Sequence, residues 1–427
     1  MAREMKDSGV EWIGEIPKEW EIIKLKKMMT FLNGYAFEGS RLSFEGKYPV
    51  IRIGDIFNNK IDTKNSNKIN LTNDEEEALE KFLIKKNDIL IAMSGATVGK
   101  LAFIDNIKEK AYINQRVGIL KSNMNKYLFY SLSNNMFLKY IYLLSIGSAQ
   151  PNISSMGIEN YIIAIPTLEE QEKIVNYLDK KISDIDLIIE KTKTTIEDYK
   201  KYKQSIITEA VTKGLNPNVE MKDSGIEWIG QIPKHWKIKK LSQYFSQVKN
   251  KNSDLLERNL LSLSYGKIIR KDINKTDGLL PENFSGYNII EKGDIVLRLT
   301  DLQNDHKSLR VGLCKEKGII TFAYITLRNK NNQETDYFYN YIHTFDIHKG
   351  FYGMGDGVRQ GLTFEGLKKI KIVVPPLEEQ QQIAEYLDKK VFEIDNLIAK
   401  KESLISEMED YKKSLIYECV TGKKEIV

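Results

Sequence analysis

At 427 residues, with 29% charged and 41% hydrophobic residues, the chain has room for two to four globular domains and an ample core. A net charge of +5 permits a nucleic-acid partner without requiring one. The only two cysteines, Cys314 and Cys419, exclude a disulfide framework, so a reducing, cytoplasmic setting is expected; no apolar run suggests a membrane span, and the start does not read as a signal peptide.

Residues 5–24 read MKDSGVEWIGEIPKEWEIIK, and residues 221–240 repeat them as MKDSGIEWIGQIPKHWKIKK, identical at 15 of 20 positions. A second repeat pairs PTLEEQEKIVNYLDKK at 166–181 with PPLEEQQQIAEYLDKK at 375–390. The inserts between these blocks are far less alike. A common frame with divergent inserts implies pseudo-two-fold symmetry, which suits a bipartite partner such as duplex DNA. The first insert, residues 21–165, has strand-like runs at 49–53, 89–92 and 116–120 and a helical stretch at 126–144.

Past Pro166 the pattern turns helical. Ile174, Leu178, Ile182, Ile185, Ile189, Ile196, Tyr199 and Ile206 form one apolar stripe, with charged residues on the other faces. Residues 169–212 lack Pro and Gly and end at Gly214, giving a helix of roughly 66 Å. The linker at 215–236 carries the repeated frame. The second insert, residues 237–374, has strand-like runs at 294–299, 311–314 and 319–327 and a helical stretch at 335–344. The stripe then returns as Ile383, Leu387, Val391, Ile394, Ile398, Ile405, Met408 and Leu415, and Gly422 ends it. Two such stripes are expected to pack as an antiparallel coiled coil holding two lobes apart. The expected class is α+β: two pseudo-symmetric domains joined by two long antiparallel coiled-coil helices.

Catalytic motifs are imitated rather than present. Gly95 to Lys100 looks like a phosphate-binding loop but is one residue short, with Leu101 where Ser or Thr should ligate magnesium; a turn between strands is expected. Asp74 to Glu77 looks like an acidic box but reads as the first turn of a helix. Gly353-Met-Gly355-Asp-Gly357 follows no buried strand, as a nucleotide loop would. His235, His306, His343 and His348 lack metal-ligand spacing and read as surface or loop residues. The tetrad that holds a flipped base in amino-methyltransferases is missing. The chain is therefore expected to bind rather than catalyse, with no metal or cofactor of its own.

The two WIG…IP…W segments at 8–20 and 224–236 and the two P-x-L-E-E-Q helix starts resemble the specificity subunit of type I restriction–modification systems. So do the phrases NDILIAMSGATVGK at 87–100, NQRV at 114–117 and QPNIS at 150–154. The likeness spans nearly the whole chain. It implies an N-terminal conserved segment at 1–20, target-recognition domains at 21–165 and 237–374, conserved helical regions at 166–214 and 375–427, and the linker between. It also implies that each domain reads one half of a split double-stranded DNA target. Two modification subunits would carry S-adenosylmethionine for adenine methylation, and restriction subunits would carry ATP and magnesium. Two alternatives stay open: a partner methyltransferase without a nuclease, and a coiled-coil scaffold whose lobes bind protein. The second lobe departs from the pattern. It has Arg298-Leu-Thr-Asp-Leu-Gln where the first has SGATVGK, and RQGLT at 359–363 where the first has QPNIS.

Base reading needs Arg, Lys, Asn, Gln, Ser or Thr on loops that reach a groove. In lobe one the candidates are Ser94, Thr97, Lys100, Asn114, Gln115, Arg116, Gln150 and Asn152. In lobe two they are Tyr265, Lys267, Arg270, Arg298, Thr300, Asn304, Arg310, Arg359 and Gln360. The recurrent Trp12, Trp20, Trp228 and Trp236 are assigned to bracing the junction between lobe and helix rather than to base stacking.

Overall fold

The computed structural model describes residues 3–145, 151–274, 283–302, 309–355 and 361–426. The chain forms two units: Met1–Thr192 with Ser403–Val427, and Lys193–Glu402. The two long helices, Leu168–Lys213 and Leu377–Val420, each pass from one unit into the other. The segments 166–214 and 375–427 are thus each shared between units.

Each unit is built on the same plan. In the first, strand Glu21–Lys24 pairs antiparallel with Ile162–Ile165, so the lobe's entrance and exit lie side by side. In the second, Lys237–Lys240 pairs with Lys371–Val374 in the same way. Each lobe centres on a four-stranded antiparallel sheet. The order is Leu101–Phe103, Ile89–Ala92, Val117–Lys121, Thr30–Asn33 in lobe one. It is Val311–Leu313, Ile295–Leu297, Ile325–Asn329, Phe245–Gln247 in lobe two. The equivalence extends to single bonds. The Tyr127 hydroxyl donates to the carbonyl of Ala164, and the Tyr337 hydroxyl to that of Val373. Asp88 and Asp294, both buried, accept the amides of Lys85 and Glu291 in matching turns before the central strand.

The lobes differ in what is added. Lobe one carries a second sheet in which Tyr48–Ile51 pairs parallel with Tyr112–Ile113 and antiparallel with Lys68–Ile69. Lobe two carries the hairpin Leu261–Ser264 with Lys267–Arg270 and a pair of strands, Asn288–Ile290 with Gly318–Ile320, the latter bridged in parallel by Leu260. Two expected runs are broken. The stretch 126–144 is two helices, Asn125–Leu132 and Asn135–Ser145, because the Asn134 side chain accepts the amides of Met136 and Phe137 and caps the second. The run 319–327 is two strands, since a turn closes from the Tyr324 amide to the Thr321 carbonyl.

The long helices pack antiparallel in each unit. In unit one Ile174, Leu178, Ile185, Ile189 and Leu415 are buried in one core, and Ile182, Ile405 and Met408 pack against it. In unit two Ile383 and Leu387 are buried, with Ile206 and Val391 packed on their core. Ile196, Ile394 and Ile398 are buried as well. The ion pair Lys412–Asp186 flanks the seam in unit one, and Lys203–Asp395 flanks it in unit two. The periodic stripe missed Ile207, Ala210, Val211, Ile416, Cys419 and Val420, where the helix ends turn further faces toward the frame.

The recurrent tryptophans fix the helix ends. Trp20 and Trp236 are fully buried, and each indole N–H donates to the second glutamate of a helix start, Glu170 at 2.9 Å and Glu379 at 2.8 Å. In the same first turns Gln171 and Gln380 reach back to the carbonyls of Pro166 and Pro375. Arg3 also pairs with Glu170, and His235 with Glu379. The helix C-termini come to the same places. Gly214 and Gly422 end the helices at φ +78° and +71°, and a Cβ would lie 3.1 Å from the Trp236 ring and 2.3 Å from Pro17 respectively. Trp12 stacks on Tyr161, and Trp228 packs against Tyr341, Phe345 and His348.

Glu170→Ala and Glu379→Ala each leave a buried indole N–H without its acceptor. Each should cost about 1–3 kcal/mol in urea unfolding. Their exposed neighbours Glu169 and Glu378 should cost under about 1 kcal/mol when changed to Ala. Equal losses at all four sites would contradict the assigned role.

Candidate nucleic-acid interface

Three loops remote in sequence meet at one edge of lobe one. Strand Ile89–Ala92 ends in Met93, whose amide donates to the carbonyl of Arg116 and whose carbonyl accepts from Ile153. Ser94 bridges to Asn152, and the Gly95 amide donates to the carbonyl of Pro151. Asn114 leaves strand Tyr112–Ile113, with its amide on the carbonyl of Ile51. Ser94, Thr97, Lys100, Asn114, Gln115, Arg116 and Asn152 are therefore gathered.

Their roles within that cluster differ. Lys100, Gln115, Arg116 and Asn152 are exposed and can reach a groove. Ser94 is buried and Thr97 and Asn114 are half-buried, so these three shape the loops. The loop 95–100 closes on itself, because the amides of Val98, Gly99 and Lys100 go to the carbonyls of Gly95, Ala92 and Thr97. Those amides are spent within the turn, which rules out a phosphate cradle there. Sequence reasoning missed Tyr35 and Arg52. Tyr35 bridges to Asn114 and is partly exposed; Arg52 follows strand Tyr48–Ile51 and is exposed. Only the non-local parallel pairing of that strand with Tyr112–Ile113 places them here.

In lobe two, Tyr265 and Gly266 join the hairpin strands as a two-residue turn with φ +45° and +76°. Tyr265 is 77% exposed at the tip, with Lys267 exposed beside it. Arg270 is exposed but held by a two-pronged pair with Glu316. Arg298 is half-buried and Thr300 is exposed, on the chain leaving the central strand. Arg310 corrects the expectation. It is 0% exposed, and its guanidinium donates to the carbonyls of Arg298, Thr300 and Asp301. It braces the loop from inside instead of facing a groove. Gln150, Asn304, Arg359 and Gln360 lie outside the described residues.

Two other motifs resolve as local structure. Asp74 to Glu77 lie in helix Asn73–Ala78, capped by Thr72 with the Glu75 carboxylate returning to the Thr72 amide. Hydrogen bonds from Arg41, then from the Thr72 amide, hold the Glu75 carboxyl down at about 2. His343, expected at the surface or in a loop, is half-buried in helix Thr335–Ile347 against Tyr339, and partial burial lowers its pKa. Among the described residues no helix is long and apolar enough to cross a membrane.

A duplicated, non-identical lobe on a constant helical frame defines a two-part recognition protein. The chain matches the family described as type I restriction modification DNA specificity domain over residues 17–198 and 233–407, and it belongs to that family. It is 30% identical to the type I restriction enzyme MjaVIII specificity subunit of Methanocaldococcus jannaschii, across 96% of this chain and 93% of that one. Its fold resembles a chain described under "complex assembly and conformational transition of the type I R-M system", with a TM-score of 0.67 at 15% identity, covering 96% and 99% of the two chains. It also resembles the HsdS subunit from Thermoanaerobacter tengcongensis, with a TM-score of 0.53 at 15% identity, covering 96% and 98%.

Two arginines separate contact from support. Arg116→Ala should weaken DNA binding by roughly 1–3 kcal/mol and leave the unfolding midpoint unchanged. Arg310→Ala should destabilise the chain by about 3 kcal/mol, because several carbonyls lose a charged donor. Binding titrations and urea melts on both variants check this, and the reverse pattern would contradict the assignment.

Proposed function

We propose that this protein is the DNA-reading specificity subunit of a type I restriction–modification complex, each lobe reading one half of a bipartite target. The observation that carries this reading is the contrast between frame and loops. Strand order, helix starts and tryptophan contacts repeat from unit to unit, while the residues at the exits of the central strands do not. A scaffold that merely joined two proteins has no need of lobes so alike in backbone and so different at one edge. Two lobes that read different base sequences on a repeated frame require both properties.

Exposed Lys100 in lobe one and Lys267 in lobe two supply cations for phosphates, and exposed Arg116 is a base reader. Amide and hydroxyl groups such as Gln115, Asn152 and Thr300 supply the chemistry that distinguishes base edges. The frame and long helices recruit two modification subunits, whose equivalent docking a duplicated frame suits, and restriction subunits join them. In this division of labour the chain itself moves no methyl group. S-adenosylmethionine, ATP and magnesium belong to the partners.

The purified chain should bind duplex DNA with an affinity that falls steeply with salt. It should transfer no label from S-adenosylmethionine until the modification subunits are added. Binding indifferent to salt would favour the scaffold, and transfer by the isolated chain would overturn the reading.

A further inference from the structure

Each lobe lays a hairpin against the edge strand of its central sheet. In lobe one it is Ile56–Phe57 with Lys60–Ile61, and in lobe two Leu261–Ser264 with Lys267–Arg270. The two rest on equivalent positions. Ala102 pairs with Leu90 and Gly312 with Val296, and Leu90 and Val296 each lie two residues past the matched Asp88 and Asp294. Asn59 bridges to Ala102, while a Cβ on Gly312 would lie 2.6 Å from Leu263 and 3.0 Å from Ile268. A small residue at this position lets the hairpin approach. Both hairpins close through two residues at positive φ: Asn58 and Asn59 at +48° and +60°, Tyr265 and Gly266 at +45° and +76°. An exposed lysine follows each turn, Lys60 and Lys267, and each tip carries an exposed ring, Phe57 at 64% and Tyr265 at 77%. The tips face the end of the sheet where the candidate loops lie. In lobe one the bridge from Asn59 to Ala102 is parallel, so the chain past Asn59 runs away from Lys100 and the turn points toward it. Ile53, just before the hairpin, would lie 3.3 Å from a Cβ on Gly95. In lobe two a Cβ on Gly266 would lie 3.0 Å from Leu309, the neighbour of the Arg310 that braces the loop leaving the central strand.

We propose that the two hairpin tips are matched clamps on the DNA backbone. Lys60 and Lys267 pair with phosphates, Phe57 and Tyr265 lie against the adjoining deoxyribose, and neither tip reads a base. This rests on the DNA-reading function proposed above. The loops at the strand exits differ between the lobes, SGATVGK against RLTDLQ, whereas the tips keep one ring and one cation. What two different half-sites share is the sugar–phosphate backbone, whose contacts set register and carry no sequence. Phe57 and Lys60 are direct partners across their hairpin, so both side chains stand on one face. Tyr265 stands one position further into its turn than Phe57 does. There Asn or Gly adopts positive φ with less strain, as Asn58 does in lobe one. A tyrosine held in that conformation with its ring in solvent contributes nothing to the core, so its use lies outside the chain. Neither hairpin contains an acidic residue that would repel a phosphate.

The test uses the full chain assembled with its modification subunits and a duplex carrying the sequence that the complex methylates. Binding is titrated over a salt series for the wild type, Lys60→Ala, Lys267→Ala, Phe57→Ala and Tyr265→Asn, and methylated sites are mapped for each. Each lysine variant should flatten the plot of log affinity against log salt by about one unit, the mark of one lost phosphate contact. Phe57→Ala and Tyr265→Asn should weaken binding about fivefold, the worth of part of a buried ring, and keep the wild-type slope. All four should mark the wild-type sequence. Tyr265→Asn suits the turn and should melt no lower than the wild type, so its weaker binding is not a loss of fold. A changed sequence in any variant means that a tip reads bases and overturns the clamp. So does a wild-type slope in either lysine variant, or wild-type affinity in either ring variant. A wild-type complex that marks no split sequence overturns the DNA-reading function itself.

Discussion

The hydrogen bond from a buried tryptophan to the first turn of a long helix is the constraint on which the rest depends. Trp20 belongs to the N-terminal segment, Glu170 to the start of the first long helix, and Gly422, packed on Pro17 and Trp20, to the end of the second. The Tyr417 hydroxyl donates to the carbonyl of Trp12, and the Lys423 ammonium donates to that of Ile13, tying the two chain ends further. Three segments far apart in sequence therefore share one core. In unit two Trp236, Glu379 and Gly214 repeat the arrangement. A buried indole needs an acceptor, and a helix N-terminus favours a carboxylate, so one glutamate satisfies both.

This junction frees the lobes to differ. The frame strands Glu21–Lys24 with Ile162–Ile165, and Lys237–Lys240 with Lys371–Val374, clamp each lobe at its two ends. The central sheet then needs only its buried strand residues, such as Ile89, Ile91 and Ile119 in lobe one and Ile295, Leu297 and Leu327 in lobe two. The strand-exit loops anchor to the core through a few residues, Met93 and Ile153 in lobe one and Leu299, Leu302 and Leu362 in lobe two, and their exposed positions can change without loss of fold. The buried Arg310 shows the limit of that freedom. Its charge is absorbed by carbonyls, so it is retained as a brace rather than exposed as a reader.

The repeats made the frame legible, because a motif written twice announces equivalent structure. The helix stripe was legible because seam residues such as Leu178 and Leu387 recur at helical spacing. The broken helix at Asn134 was not, since the apolar pattern continues through the cap. In the candidate site, residues 94–100 and 114–116 stood out by residue type and by the phrases that hold them, but their convergence depends on non-local pairing. The presence of Tyr35 and Arg52 depended on a parallel pairing that no local pattern encodes. Arg310 misled for the opposite reason: a cation in a polar loop reads as exposed until its burial is seen.

The most direct measurement exchanges one lobe and leaves the frame alone. Residues 21–165 are replaced by the corresponding lobe of a relative with a different target, and methylated sites are mapped in a host carrying the modification subunits. The account predicts that one half of the split sequence changes to that of the donor while the other half stays as it was. Both halves changing together, or neither changing, would contradict the claim that the two lobes read DNA independently on a common frame.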